Sequence, residues 1–347
     1  MRNTEDRVLT GDRPTGKLHL GHFAGSIQNR LKIQNGELKF KNPIEQIFYM
    51  VADVQALTDN ADNPEKVRSS VLEVALDNLA CGMNPKKTTM FIQSQVPEIA
   101  ELTIFFLNLV TVSRLKQNPT VKTEIKQKGF GENVPAGFLA YPVSQAADIL
   151  TFKANLIPVG EDQKPVIEQA NELGAKFNSM YGETFSYITP LLPPKNSPES
   201  RMPGIDGKAK MSKSLGNAIF LADSEKEIEQ KVMQMYTDPS HIHLADPGEV
   251  KGNVVFTYLD VFDPKKKEVA ELKKQYKKGG LGDVVLKKRL AAVLNEMLMP
   301  IRERREELAR NPKHIMDILE AGTKEARHTA KATLAEVREH MKIDYFG

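Results

Sequence analysis

The chain is constrained most by an alternation that stops. Up to about residue 190, short apolar runs alternate with stretches of helical spacing; from Ser224 onward strand signals nearly vanish. Val8-Leu9-Thr10 reads as a short strand running into a glycine-rich turn. Leu20, Phe23, Ala24, Ile27 and Leu31 then follow helical spacing. Ile47 to Ala52 is a continuous apolar run, as expected of a strand buried on both faces. Asn63-Pro64 combines a capping side chain with a proline at the first helical position. Val67, Val71, Val74 and Ala75 form the inner stripe of that helix, and Gly82 ends it. Thr89 to Gln93 and Leu156 to Val159 read as further strands, Ala146 to Phe152 and Asp162 to Lys176 as further helices. Strands alternating with helices predict an α/β domain built on a parallel sheet.

Leu191 to Gly207 is rich in proline, serine and glycine and reads as a long loop. Beyond it, Lys231 to Tyr236, Lys265 to Lys278, Leu281 to Arg310 and Lys324 to Met341 read as helices rich in Lys, Glu, Leu and Ala. The expected organisation is an α/β domain over 1–222, a helical region over 223–312, and a C-terminal helix over 313–347 packing back on the first domain. A chain of 347 residues is long enough for this division. Its net charge of +3, from 48 basic and 45 acidic residues, is too small to imply a nucleic-acid partner by itself. The single cysteine, Cys81, excludes an internal disulfide, and its apolar neighbours suit a buried thiol. Residues 1–7 lack the apolar core of a signal peptide, and no run of ~18 apolar residues exists. A cytoplasmic location without membrane contact is the default expectation.

Two segments carry chemistry. Gly11-Asp12-Arg13-Pro14-Thr15-Gly16-Lys17-Leu18-His19-Leu20-Gly21-His22 joins the first strand to a helix. A strand, a glycine turn and a helix start gather free backbone N–H groups at one point, which suits phosphate. His19 and His22, three residues apart, share a face on a helical turn and can donate to phosphate oxygens. An ordinary turn with two surface histidines is the plain alternative. No carboxylate or third histidine stands at zinc-protease spacing. Lys210-Met211-Ser212-Lys213-Ser214 lies in a polar loop between Gly207 and Gly216. Its lysines are mobile point charges suited to a departing pyrophosphate. It is not a Walker A segment, and an isolated lysine pair is more often a solvated loop.

Together, in this order, the two segments resemble the paired motifs of class I aminoacyl-tRNA synthetases. Length, order and three further segments resemble the bacterial tryptophanyl branch: Phe91 to Pro97, Tyr141 to Asp148, and Ile157 to Gln163. The resemblance implies a Rossmann-type catalytic domain and a helical domain that binds the anticodon. It implies activation of tryptophan by ATP, with Mg²⁺ carried mainly by the phosphates, followed by transfer to tRNA(Trp). The amino-acid carboxylate is already ionised, so alignment and charge stabilisation are needed rather than a strong base.

Residue by residue, the resemblance assigns catalysis to His19, His22, Lys210 and Lys213. It assigns ATP contacts to Arg13, Pro14, Thr15, Gly21, His22, Gly160, Glu161, Asp162, Met202 and the Lys210 to Ser214 loop. Tryptophan contacts fall to Leu9, Gln55, Tyr141, Gln145, Asp148 and Gln163. Asp148, flanked by Ala146, Ala147, Ile149 and Leu150, suits an indole N–H, which donates and cannot accept. The spacing of Tyr141, Gln145 and Asp148 also occurs in tyrosyl enzymes, so a tyrosine-specific ligase is one alternative. Many tryptophanyl enzymes carry methionine in place of Gln145 and histidine in place of Gln55, which leaves those two roles open. A non-catalytic nucleotide- or tRNA-binding paralogue is another alternative. The family is generally a homodimer. Basic clusters at Lys265 to Lys267, Lys273-Lys274, Lys277-Lys278, Lys287 to Arg289 and Arg302 to Arg305 are solvated faces or phosphate contacts.

Overall fold

The computed structural model describes residues 5–192, 202–213 and 215–346. Among them, five parallel strands form one sheet: β1 (Asp6–Asp12), β2 (Ile44–Val51), β3 (Thr89–Ile92), β4 (Leu156–Pro158) and β5 (Thr189–Leu191). The order is β3-β2-β1-β4-β5. Strand order therefore reverses between β1 and β4, and a crevice opens there beyond the carboxyl ends of the strands. Every strand expected from the sequence is present. β5 escaped notice because it has three residues, one of them Pro190, and proline fits a sheet only at its edge.

Some helices begin on side-chain caps, whereas Ala136–Thr151, Lys164–Tyr181 and Asp283–Ala309 have none. Asn63 accepts from the backbone N–H of Lys66, and Pro64–Ala80 follows. The stretch Ala146 to Phe152 proves to be the second half of a longer helix, Ala136–Thr151. The C-terminal helix starts earlier than its charge pattern suggests and runs Pro312–His340. Lys231 to Tyr236 shifts back to Glu225–Met233, where Ser224 and Glu227 form a capping box. Val254–Phe262 is a helix that sequence reading missed. Its Val, Phe and Tyr residues favour strands, but burial on most sides overrides that preference. Much of the expected loop over Leu191 to Gly207 lies outside the described residues.

Two cores flank the sheet. On one face Phe48, Phe91 and Phe152 meet, with Phe152 centroids 4.7 and 4.9 Å from the other two rings. On the other, Leu18, Leu20 and Val74 belong to a core that continues through Met211 into Val255, Leu259, Leu290 and Leu294. The sheet and the helical region thus share one apolar interior. Pro312–His340 lies along the outer edge of β3. Thr323 Oγ1 accepts the Ile92 backbone N–H at 3.2 Å, satisfying an edge donor. A Cβ on Gly322 would stand 2.0 Å from the Met90 carbonyl, so only glycine permits this approach.

Candidate active site

At the switch point lies a cavity of about 460 Å³. Its walls bring together Leu9, Arg13, His22, Gln55, Tyr141, Gln145, Asp148, Gly160 and Gln163, residues drawn from four stretches of sequence. Its floor holds a buried network that sequence reading missed. Arg30 forms a two-pronged ion pair with Asp12 at 2.5 and 3.0 Å, and also donates to Thr10 Oγ1 and the Gly11 carbonyl. Tyr49 and Asn78 complete the set around Asp12. Burial works against the Asp12 charge, but Arg30 beside it holds the carboxyl well below the usual range. Helix Leu20–His22 continues through π-helical Phe23–Ile27 into Gln28–Gln34, and the wider turn helps aim Arg30 at the end of β1.

The two widely separated motifs are in direct contact. Leu20 N–H donates to the Ile219 carbonyl, and Leu221 N–H to that of Leu18. Met211 is buried, and its sulfur accepts the Gly21 N–H at 3.3 Å. Lys213 Nζ donates to the Gly16 carbonyl at 2.7 Å, and Gly16 itself needs its positive φ of 117°. Thr15 Oγ1 stands 3.4 Å from the same nitrogen. Burial lowers the Lys213 pKa to about 8, which leaves it mostly charged at neutral pH. Lys210 is exposed, and the loop is anchored by buried Asn217, whose Oδ1 accepts the Ser212 N–H. Met202 gives its carbonyl to Met211 and is buried, away from the cavity wall. Pro14 is buried, Glu161 and Asp162 are exposed, and Ser214 lies outside the described residues.

The His19 and His22 rings meet at a centroid distance of 3.9 Å with their planes tilted by 47°. Nδ1 of His19 accepts the Gly21 N–H, and Nδ1 of His22 accepts the His19 N–H. This pattern assigns the proton of each neutral ring to Nε2, leaving one donor on each. Burial, followed by nearby positive charge, lowers His19 to about 2. Burial also lowers His22 to about 4, despite Asp12. Both are uncharged at neutral pH.

At the other end of the cavity, Asp148 is buried at the centre of an amide cluster. Gln93 Nε2 donates to Oδ1 at 2.7 Å and Gln55 Nε2 to Oδ2 at 3.3 Å. Burial pushes Asp148 up to about 7, opposed by those two donors. Gln145 Oε1 is buried with no hydrogen-bond partner among the described residues, Tyr141 Oη is buried beside Glu124, and all three residues line the cavity.

A family model of class I tRNA synthetases (W and Y) matches residues 1–299. The chain belongs to that family. It is 56% identical over 341 residues to the tryptophan–tRNA ligase of Clostridium longisporum, covering 98% of each chain. It is 54% identical over 345 residues to that of Lactococcus lactis, covering 99% of each. Among solved structures, the tryptophanyl-tRNA synthetase of Campylobacter jejuni complexed with ADP and tryptophan superposes with a TM-score of 0.83 at 30% identity, covering 97% of this chain and 99% of that one.

Several basic clusters of this class I synthetase are occupied within the fold. Arg305 Nε binds buried Asp77 at 2.7 Å, and the other oxygen of Asp77 accepts the Leu18 N–H beside His19. Arg304 donates to the Ala80 carbonyl. Arg289 is paired with Asp263 and Glu268, and Lys273 with Asp260. Lys277, Lys278 and Lys288 stay exposed. No described helix is long and apolar enough to cross a membrane. Cys81 is buried, and burial raises its pKa.

Proposed function

We propose that this synthetase is a tryptophan–tRNA ligase, which forms tryptophanyl-adenylate and pyrophosphate and then charges tRNA(Trp). The observation that carries the reading is Asp148, a buried acceptor on a cavity wall shared with apolar Leu9, Met50, Ile149 and Ile157, which suits an indole N–H. Phenylalanine would offer no donor to the acceptor capacity that Gln55 and Gln93 leave on Asp148, at a cost of about 1–3 kcal/mol. Tyr141 Oη and Gln145 Oε1 supply partners for the α-ammonium, and Leu9 and Gln163 close the amino-acid side.

ATP lies toward Arg13, Thr15, Gly21 and Gly160. His19 and His22 donate from Nε2 as neutral rings, and Lys210 and Lys213 provide the positive charge. Lys213 leaves the Gly16 carbonyl for the phosphates as the loop closes. Catalysis is alignment of the carboxylate on the α-phosphorus together with stabilisation of developing charge. Mg²⁺ accompanies the phosphates as part of the substrate.

The proposed division of labour is catalysis in 1–222, anticodon reading in 223–312, and support of the sheet edge by 313–347. Exposed Lys277, Lys278 and Lys288 are the phosphate contacts to test first. Each one lost should reduce the salt slope of tRNA binding by about one. A homodimer in the cytoplasm completes the reading, with sedimentation as the check on assembly. Amino-acid-dependent pyrophosphate exchange tests the function. Exchange with tryptophan supports it; exchange with tyrosine alone defeats it, and none across a full amino-acid panel favours a binding-only paralogue.

A further inference from the structure

Gln93 carries no role in the motif set, yet it makes the shortest contact to Asp148. It is 2% exposed, at the first position of the 3₁₀ turn after β3. Its Oε1 accepts the Gln55 backbone N–H at 3.1 Å, so Nε2 must be the atom that faces Asp148 Oδ1. Gln55 Nε2 divides its donors between Asp148 Oδ2 and Ser144 Oγ. Each carboxylate oxygen therefore holds one amide donor and keeps acceptor capacity for the cavity.

We propose that Gln93 is a positioning residue that determines specificity: with Gln55 it holds Asp148 as an acceptor-only carboxylate, so a ring N–H is taken and a ring acceptor is refused. The proposal rests on tryptophan being the substrate. Burial favours the protonated acid, which would be a donor. Asp53, at the start of the helix that carries Gln55, adds repulsion from the same side. The two amides oppose both effects, and removing one tips Asp148 toward its O–H form.

The test compares kcat/KM in pyrophosphate exchange for tryptophan and for the analogue with ring oxygen in place of indole N–H, using the full chain. Gln93→Met should lower the preference for tryptophan by about tenfold, through loss on tryptophan and little loss on the analogue. Gln93→Glu keeps the size and the acceptor for the Gln55 N–H but sets an acid against Asp148. It should lower the preference as well. Equal losses on both compounds in the two variants, or an unchanged preference in either, would overturn the proposal. Absence of tryptophan-dependent exchange in the unaltered enzyme is a separate result, and it defeats the substrate assignment itself.

Discussion

At the end proposed to meet the phosphates, burial strips the charge from His19 and His22; at the end proposed to take the amino acid, it pushes Asp148 toward holding a proton. One physical cause, loss of water around a charge, acts on bases in the first case and on an acid in the second. The remedies differ. The phosphate end leaves its rings neutral and takes positive charge from lysines on a separate loop. At the amino-acid end two glutamine amides oppose the loss of charge on Asp148. In the proposed reading a polyanion is therefore met by lysines of the loop, whereas the ring is met by fixed hydrogen bonds.

The sharpest way to break this contrast is to remove the floor beneath the phosphate end. Arg30→Met leaves Asp12 buried and unpaired and should cost about 3–5 kcal/mol of stability in denaturant unfolding. Adding Asp12→Leu should recover most of that loss; no recovery would mean that Arg30 acts through its contacts to Thr10 and Gly11 instead. Next in size, Lys213→Ala should reduce kcat for adenylate formation by roughly 10²–10³ with little change in the KM for tryptophan. Equal losses in both would assign the lysine to ground-state binding and erase the division between the two ends. Asp148→Ala should lower kcat/KM for tryptophan by about 10–100-fold and weaken rejection of phenylalanine, with the KM for ATP preserved.

The smallest effect has the most specific sign. The folded-state pKa of Asp148 is raised, so its contribution is present at low pH and is lost as pH rises from about 4 to about 7. That of His22 is lowered, so its contribution is present above about 6.5 and is lost as pH falls toward about 4. Within one window the two groups tilt stability in opposite directions, each by at most about 1.4 kcal/mol per pH unit. Unfolding midpoints against pH for Asp148→Asn and His22→Gln should deviate from the parent with opposite slopes. Slopes of the same sign would show that the two ends do not differ in this way.

Much of the α/β region was legible because the early strands contain short apolar runs and Pro64–Ala80 starts on a recognisable cap. The short strand at Pro190 and the valine-rich helix Val254–Phe262 were not, since edge position and burial decided them. The site was legible where chemistry is concentrated in sequence, as at His19, His22 and Lys213. It was not legible at Arg30, Asn78, Gln93 and Asn217, which are ordinary residues until the fold brings partners to them. Arg304 and Arg305 show the reverse error: a run of charge that reads as solvated turns inward to the Ala80 carbonyl and Asp77.

By itself the sequence determined the reaction class and the order of the sheet domain and the helical region, and it singled out Asp148 as the acid proposed for an indole N–H. These follow from local periodicity, capping and literal motifs, which need no distant partner. Only the tertiary structure decided that Lys213 rests on Gly16, that the two histidines are neutral, and that Gln55 and Gln93 share Asp148. Protonation and hydrogen-bond partners depend on how much water each group loses and on what replaces it, and residues far apart in the chain supply the replacement.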